Sequence, residues 1–335
     1  MAAKAPLASA LCALLVLQAC AGTTTESGPA PDVVTVVVLP FLTQVPFDIA
    51  MKEGYFAQEN LDVRTVRLPR VQDLMASLAN GDVDAAAGWI GASLLNAMVQ
   101  GVRIRAVMAL GELDPQACPF GAFVVRRETF ESGALDDPAQ LREMLFDIDP
   151  LLPQGYWLER LLLPLGLTVD DVRTIDVPPQ PSIEALRNGA VDMITFSEPL
   201  VTKTIEAGDL VIWRSVAEVA PGYSDSALLF GGSLLDQRPE VGERFATAML
   251  RAVRRFQEGK TPANFARATE FVGLTEEELQ TICWPVVSAD AHIDAAGLLA
   301  YQSWSVRHGY QERELPAGEI IDNRFIDAAN ARLGH

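Results

Sequence analysis

One five-residue phrase occurs twice in this chain and sets its organisation. Residues 80–84 read Asn80-Gly81-Asp82-Val83-Asp84, and residues 188–192 read Asn188-Gly189-Ala190-Val191-Asp192. Each copy follows a helical pattern and precedes an apolar run, Ala85-Ala86-Ala87-Gly88-Trp89 in one and Met193-Ile194-Thr195-Phe196 in the other. Gly after Asn suits the left-handed cap that ends a helix, and the Asp then opens a buried parallel strand. A duplicated helix, cap and strand imply two similar α/β lobes, and two lobes imply a ligand held between them.

The N-terminus reads as a secretion signal over residues 1–19. Lys4 supplies a positive start, Leu7 to Leu17 is a short apolar run, and Leu17-Gln18-Ala19-Cys20 follows. The run is too short to span a bilayer. Its ending resembles a bacterial lipobox, which implies cleavage before Cys20 and lipidation of that thiol; an ordinary signal peptide with a chance Cys is the other reading. Residues 20–32 are rich in Thr, Ser, Gly and Pro and suit a flexible tether. Ala21 in place of Asp after the Cys does not favour inner-membrane retention, so outer-membrane sorting stays open. The mature protein is expected at the periplasmic face of the envelope, as a monomeric body that touches membrane only through its anchor.

Hydrophobic content of 49% with 21% charged residues indicates a globular chain. The formal charge of -18 becomes -19 once Lys4 leaves with the signal. That charge excludes nucleic acid as a partner, and it disfavours phosphate, sulfonate or nitrate ligands unless a local basic pocket overrides it. An exported setting permits a disulfide between Cys118 and Cys283, with two separately buried thiols as the alternative. Neither Cys has metal or redox spacing, and no metal or cofactor is expected.

Strands are expected at Val33–Leu39, Leu61–Leu68, Asp84–Gly88, Ile104–Leu110 and Phe120–Arg126, with helices at Phe47–Glu53, Val71–Ala79 and Ala92–Gln100 between them. A second series follows a polar, turn-like stretch at Glu128–Asp137. It has a helix at Tyr156–Leu163, strands at Val172–Val177 and Val191–Phe196, a helix at Ser182–Arg187, and strands at Leu210–Val216 and Ala227–Phe230. Beyond Pro239 the pattern is helical, over Val241–Gln257, Pro262–Phe271, Thr275–Ile282 and Ala291–His308. Alternating strands and helices predict mostly parallel sheets covered on both faces.

Several phrases in order resemble the solute-binding components of ABC importers, in particular those for taurine, alkanesulfonates, nitrate or thiamine pyrimidine precursors. They are Ala50-Met51-Lys52-Glu53-Gly54-Tyr55-Phe56, then Gly166-Leu167 with Asp170-Asp171-Val172, then Ala185-Leu186 to Asp192 with Ser197-Glu198-Pro199. The resemblance implies a two-lobed α/β fold of the type 2 periplasmic-binding-protein kind, with ligand in the cleft. It implies a first lobe of residues 33–124 and 231–335 and a second of residues 125–230. Crossing segments would lie near Phe120–Arg126 and Ala227–Gly232. The implied partners are a small-molecule ligand and an ABC permease with its ATPase.

Open α/β sheets bind ligands outside the carboxyl ends of their strands. That rule selects Phe41, Thr43 and Gln44 after the first strand, Trp89, Gly91 and Ser93 after the first repeated phrase, and Phe196, Ser197 and Glu198 after the second. Trp89 and Phe196 are near-equivalents under the repeat and are expected to face each other, with capped core aromatics as the alternative. Glu198 is expected either to meet a cationic group or to hold structure.

Anion-binding relatives place Gly-Ser-type residues at a second-lobe helix start, where backbone N–H groups hold the anion. This chain has Pro153-Gln154-Gly155-Tyr156-Trp157 there. Gln154, Tyr156 and Trp157 join the candidate site, although the two aromatics would alternatively pack into their own lobe. The ligand expected is neutral or cationic, ring-bearing or apolar, a pyrimidine-like heterocycle first. The alternatives are an anion binder of the same family, a pyrimidine-synthase-like enzyme, and a sensory or scaffold lipoprotein. The three histidines, His292, His308 and His335, lie far along the chain, with no Cys cluster or nucleophile motif to support an enzyme.

Overall fold

The unbroken β-branched run after Pro31 forms the first strand, and everything else in the first sheet is laid against it. The computed structural model describes residues 1–2, 29–66 and 74–334. The signal segment, Cys20 and most of the tether lie outside the described residues, as do the end of the expected second strand and the start of the helix expected at Val71. No helix among the described residues is long and apolar enough to cross a membrane.

Among the described residues the first five strands are β1 (Asp32–Val37), β2 (Leu61–Val66), β3 (Ala85–Gly88), β4 (Ile104–Gly111) and β5 (Gly121–Arg126). Five follow: β6 (Leu145–Asp147), β7 (Arg173–Ile175), β8 (Met193–Ser197), β9 (Leu210–Ser215) and β10 (Ser226–Gly231). They form two five-stranded sheets, ordered β2-β1-β3-β10-β4 and β7-β6-β8-β5-β9. The two orders are one topology repeated. In each sheet the first strand pairs in parallel with the second and third, and a strand from the other half of the chain enters antiparallel to both its neighbours. The chain therefore crosses between sheets at residues 112–120 and 216–225. The segments expected to cross, near 120–126 and 227–232, are instead full sheet members, β5 and β10.

Both repeated phrases end a helix in the same way. Gly81 and Gly189 take φ of +76° and +78°, the left-handed region that Gly enters without a Cβ penalty. The next amide turns back to the helix, Asp82 to the Ser77 carbonyl at 2.9 Å and Ala190 to the Ala185 carbonyl at 2.8 Å. Each phrase thus delivers its chain to the centre of a sheet, as β3 and as β8.

Helices cover both faces. The Pro239–Phe256 helix packs its apolar side on the first sheet, with Phe245, Met249 and Val253 buried. The expected later helices form at Pro262–Val272, Glu276–Thr281 and Ala295–Arg307, and a further one at Arg324–Leu333 buries Phe325, Ile326 and Ala329. The turn-like stretch at Glu128–Asp137 holds a short helix, Arg127–Glu131. One apolar cluster runs from the first sheet (Ala86, Ala109) into the second (Phe123, Met193), bridged by Tyr301 and Trp304 of the Ala295–Arg307 helix.

Candidate functional site

The loops at the carboxyl ends of β1 and β6 are built alike, and their glutamines do the same job. The Leu39 amide donates to Gln44 Oε1 at 2.6 Å, and the Asp149 amide donates to Gln154 Oε1 at 2.7 Å. Each side chain closes its own loop by satisfying an amide five residues back. Gln44 is buried, and each glutamine has its Oε1 engaged within its own loop.

Between Leu39 and Gln44 the loop projects Phe41, which is 38% exposed. Its ring meets Trp89 edge-on, with centroids 5.2 Å apart and planes at 65°. Trp89 follows β3 and is half-buried, so the pair presents aromatic surface at the strand ends. Thr43, in the same loop, is buried beside Gly111.

Phe196 does not answer Trp89 from the other lobe. Ala85 lies against Val36 in the first sheet and Met193 against Phe146 in the second. That register makes Phe196 the counterpart of Gly88, and Ser197 the counterpart of Trp89. A shift of one residue turns a strand side chain to the other face. Phe196 accordingly packs into the second lobe's own small core with Ala122 and Ile194. Ser197 is half-buried opposite Gly121.

The aromatics of the Gln154–Leu162 helix also turn inward. Trp157 is 6% exposed and meets Tyr223 edge-on at 5.9 Å. Tyr156 packs among Tyr223, Tyr301 and Trp304, with centroids 6.0–6.4 Å away. Gly155 has no room for a side chain, since a Cβ there would lie 2.6 Å from the Trp304 indole. Tyr156 therefore packs the second lobe against the Ala295–Arg307 helix, while Trp157 packs on Tyr223.

Glu198 is likewise committed. Its carboxylate accepts from Thr202 Oγ1 at 2.7 Å, the Thr202 amide at 3.1 Å and the Cys283 amide at 3.1 Å. Burial pushes its carboxyl up, while these hydrogen bonds pull against that shift. Cys283 is disulfide-bonded to Cys118, with Cα atoms 5.6 Å apart. Glu198 thus ties the end of β8 to the bridged C-terminal segment.

The Ala92–Val99 helix begins at the cleft. Its first amide, Ala92, donates to the Leu151 carbonyl of the second lobe at 3.0 Å. A Cβ on Gly91 would lie 2.9 Å from the same oxygen, so only Gly allows this approach. Ser93 is exposed. The positive end of the helix dipole, which elsewhere attracts anions, here faces a backbone carbonyl.

Asp225, one residue before β10, was not anticipated from sequence. Its amide donates to the Gly111 carbonyl at 3.1 Å, and a Cβ on Gly111 would run into its Oδ1. The residue is 3% exposed, and Oδ1 receives no hydrogen bond. Burial, reinforced by the charge of Glu112, pushes its carboxyl up to about 7. The signal lay in chain direction: an Asp opening an antiparallel strand sits at the edge where the parallel strands end. Among the described residues no His, Cys, Asp or Glu cluster is arranged to hold a metal.

Two sheets of the same order, with their strand ends meeting at one cleft, define the type 2 periplasmic-binding-protein fold. The chain belongs to the NMT1-like family, whose model matches residues 27–273. No functionally curated protein matches the sequence. Among solved structures it is similar to the periplasmic nitrate-binding protein NrtA from Synechocystis PCC 6803, with a TM-score of 0.70 at 14% identity, covering 91% of this chain and 90% of that one. The periplasmic aliphatic sulphonate-binding protein SsuA from Escherichia coli gives 0.68 at 13% identity, covering 89% and 99%. The desulfurization enzyme DSZB gives 0.61 at 15% identity, covering 90% and 100%.

Proposed function

We propose that this protein is the lipid-anchored solute-binding component of an ABC importer, and that it closes its two lobes on a neutral or cationic, ring-bearing or apolar ligand. Family membership and the fold support the transport role. The Ala92–Leu151 contact carries the ligand reading, because it meets with protein the helix-start amide that would otherwise favour an anion. The Phe41–Trp89 pair supplies a surface on which a flat ring stacks. Lobe opening is a hinge motion that breaks the Ala92–Leu151 hydrogen bond and admits the solute. The anchor rests on Cys20, and replacing it with Ser removes the lipid adduct seen by mass spectrometry of the exported protein.

Thermal-shift and calorimetric titration with aromatic heterocycles, and with nitrate and methanesulfonate as anions, tests the ligand reading. Heterocycle binding that Trp89→Ala weakens by about tenfold or more, a loss of about 1.4 kcal/mol, supports it. Binding of the anions alone overturns it in favour of an anion carrier.

A further inference from the structure

The charge environment of Asp225 narrows the ligand further. The β10 register sets Ala227 against Gly88 of β3, so Asp225 lies beyond that pair, towards the Trp89–Ile90 end of β3. Its carboxyl fills the space that the missing Gly111 side chain leaves, next to the Thr43 methyl. Among the described residues the one neighbouring charge that acts on it is Glu112, of its own sign. Among these residues its own backbone amide is the one donor that acts on the carboxylate, Oδ1 meets none, and no counter-charge faces it; a buried carboxylate so poorly met is costly, and such groups persist where a ligand completes them. Two more buried polar atoms stand unmet along the same seam, the Tyr223 hydroxyl and the Trp157 indole N–H, whose rings touch.

We propose that Asp225 is the ligand-selecting carboxylate of this cleft and receives an organic cation, an amidinium or protonated amine carried on a flat ring. The inference rests on the cleft-binding reading above and deepens it. A charged N–H group gives Asp225 Oδ1 a charge-assisted hydrogen bond where it has none. The Phe41–Trp89 rings favour the same ligand, because an aromatic face attracts a cation. A metal ion does not fit, since hard cations need several oxygen ligands and Asp225 offers one carboxylate. Burial already raises the carboxyl, so at mildly acidic pH a proton leaves Asp225 as the cation enters. Affinity for a permanently charged ligand therefore rises with pH through the neutral range.

Three probes of nearly one shape separate charge from ring: benzamidinium, benzamide and benzoate. Calorimetry on the purified protein is expected to rank benzamidinium about tenfold or more above benzamide, with benzoate weakest. Asp225→Asn is expected to bring benzamidinium and benzamide within about twofold of each other, while Trp89→Ala weakens both. If Asp225→Asn does not fold, the wild-type pH profile decides: benzamidinium affinity rises from about pH 6 to about pH 8 while benzamide affinity stays level. Equal binding of the three probes, or a benzamidinium preference that survives Asp225→Asn, overturns the role of Asp225 while leaving ring binding intact. Failure of all three to bind overturns the ring-binding reading, and this inference with it.

Discussion

The Asp84 carboxylate accepts the Thr35 amide at 2.8 Å, while the Asp84 amide donates to the Thr35 carbonyl, also at 2.8 Å. The second half repeats the arrangement between Asp192 and Leu145, at 2.9 and 2.8 Å. The remaining oxygen of each Asp meets an arginine, Arg238 Nη2 on Asp84 and Arg126 Nη2 on Asp192, both at 2.7 Å. The last residue of each repeated phrase is thus a pin, fixing where the third strand of a sheet lands on the first.

Removing a pin leaves a strand amide and a partly buried arginine without their acceptor. Asp84→Ala and Asp192→Ala are each expected to lose about 2–3 kcal/mol in urea denaturation, the range for hydrogen bonds to charged groups. Losses under about 0.5 kcal/mol would mean that strand pairing alone sets the register.

These pins also explain which parts of the fold were legible. Helix, cap and strand are local, so the phrase at 80–84 and its copy at 188–192 located β3 and β8 within a residue or two. The pairing of Trp89 with Phe196 failed because equivalence has to be counted from the Asp pins, which match Trp89 to Ser197. Gln44 drew attention by following a strand end and Gln154 by opening the second-lobe helix; only the backbone path shows that each satisfies a nearby amide. Asp225 escaped notice because its burial depends on β10 entering between β3 and β4, a pairing between distant segments that no local pattern encodes.

The seam between the second lobe and the Ala295–Arg307 helix is packed without slack at Gly155. Gly155→Ala sets a methyl 2.6 Å from the Trp304 ring, an indole held by Tyr156, Tyr301, His308 and Tyr310. A rigid ring cannot swing aside as a flexible chain would, so overpacking is expected to cost about 1–3 kcal/mol. Thermal unfolding checks this, and a neutral result would show that the helix shifts freely.

The Cys118–Cys283 bond joins a segment that crosses between the sheets to the C-terminal helices, closing a loop of sequence separation 165. Loops this long confine the unfolded chain most strongly. Reduction, or the double replacement by Ser, is expected to lower stability by about 2–4 kcal/mol. The Glu198 contact with the Cys283 amide should loosen as well, so Glu198→Gln is expected to cost less in the reduced protein than in the oxidised one. Equal costs in both forms would separate the two features.

Asp225 makes the protein's stability depend on pH in a direction opposite to that of a salt-bridged carboxylate. Its folded-state carboxyl is raised from 3.8 to about 7 by burial. Between those values the folded state holds a proton that the unfolded state releases, so stability falls as pH rises from about 4 to about 7 and then levels. The full span corresponds to a penalty on the order of 4 kcal/mol above neutrality. Asp225→Asn keeps the shape and cannot ionise, so its melting temperature should match the wild type near pH 4 and exceed it at pH 8 and above. A saturating organic cation should raise the wild-type melting temperature most at that same high pH, by supplying the missing counter-charge, and raise that of the Asn variant by a smaller, pH-independent amount through ring binding alone. A difference between wild type and variant that stays constant from pH 4 to pH 8 would show that Asp225 finds its stabilisation within the protein itself.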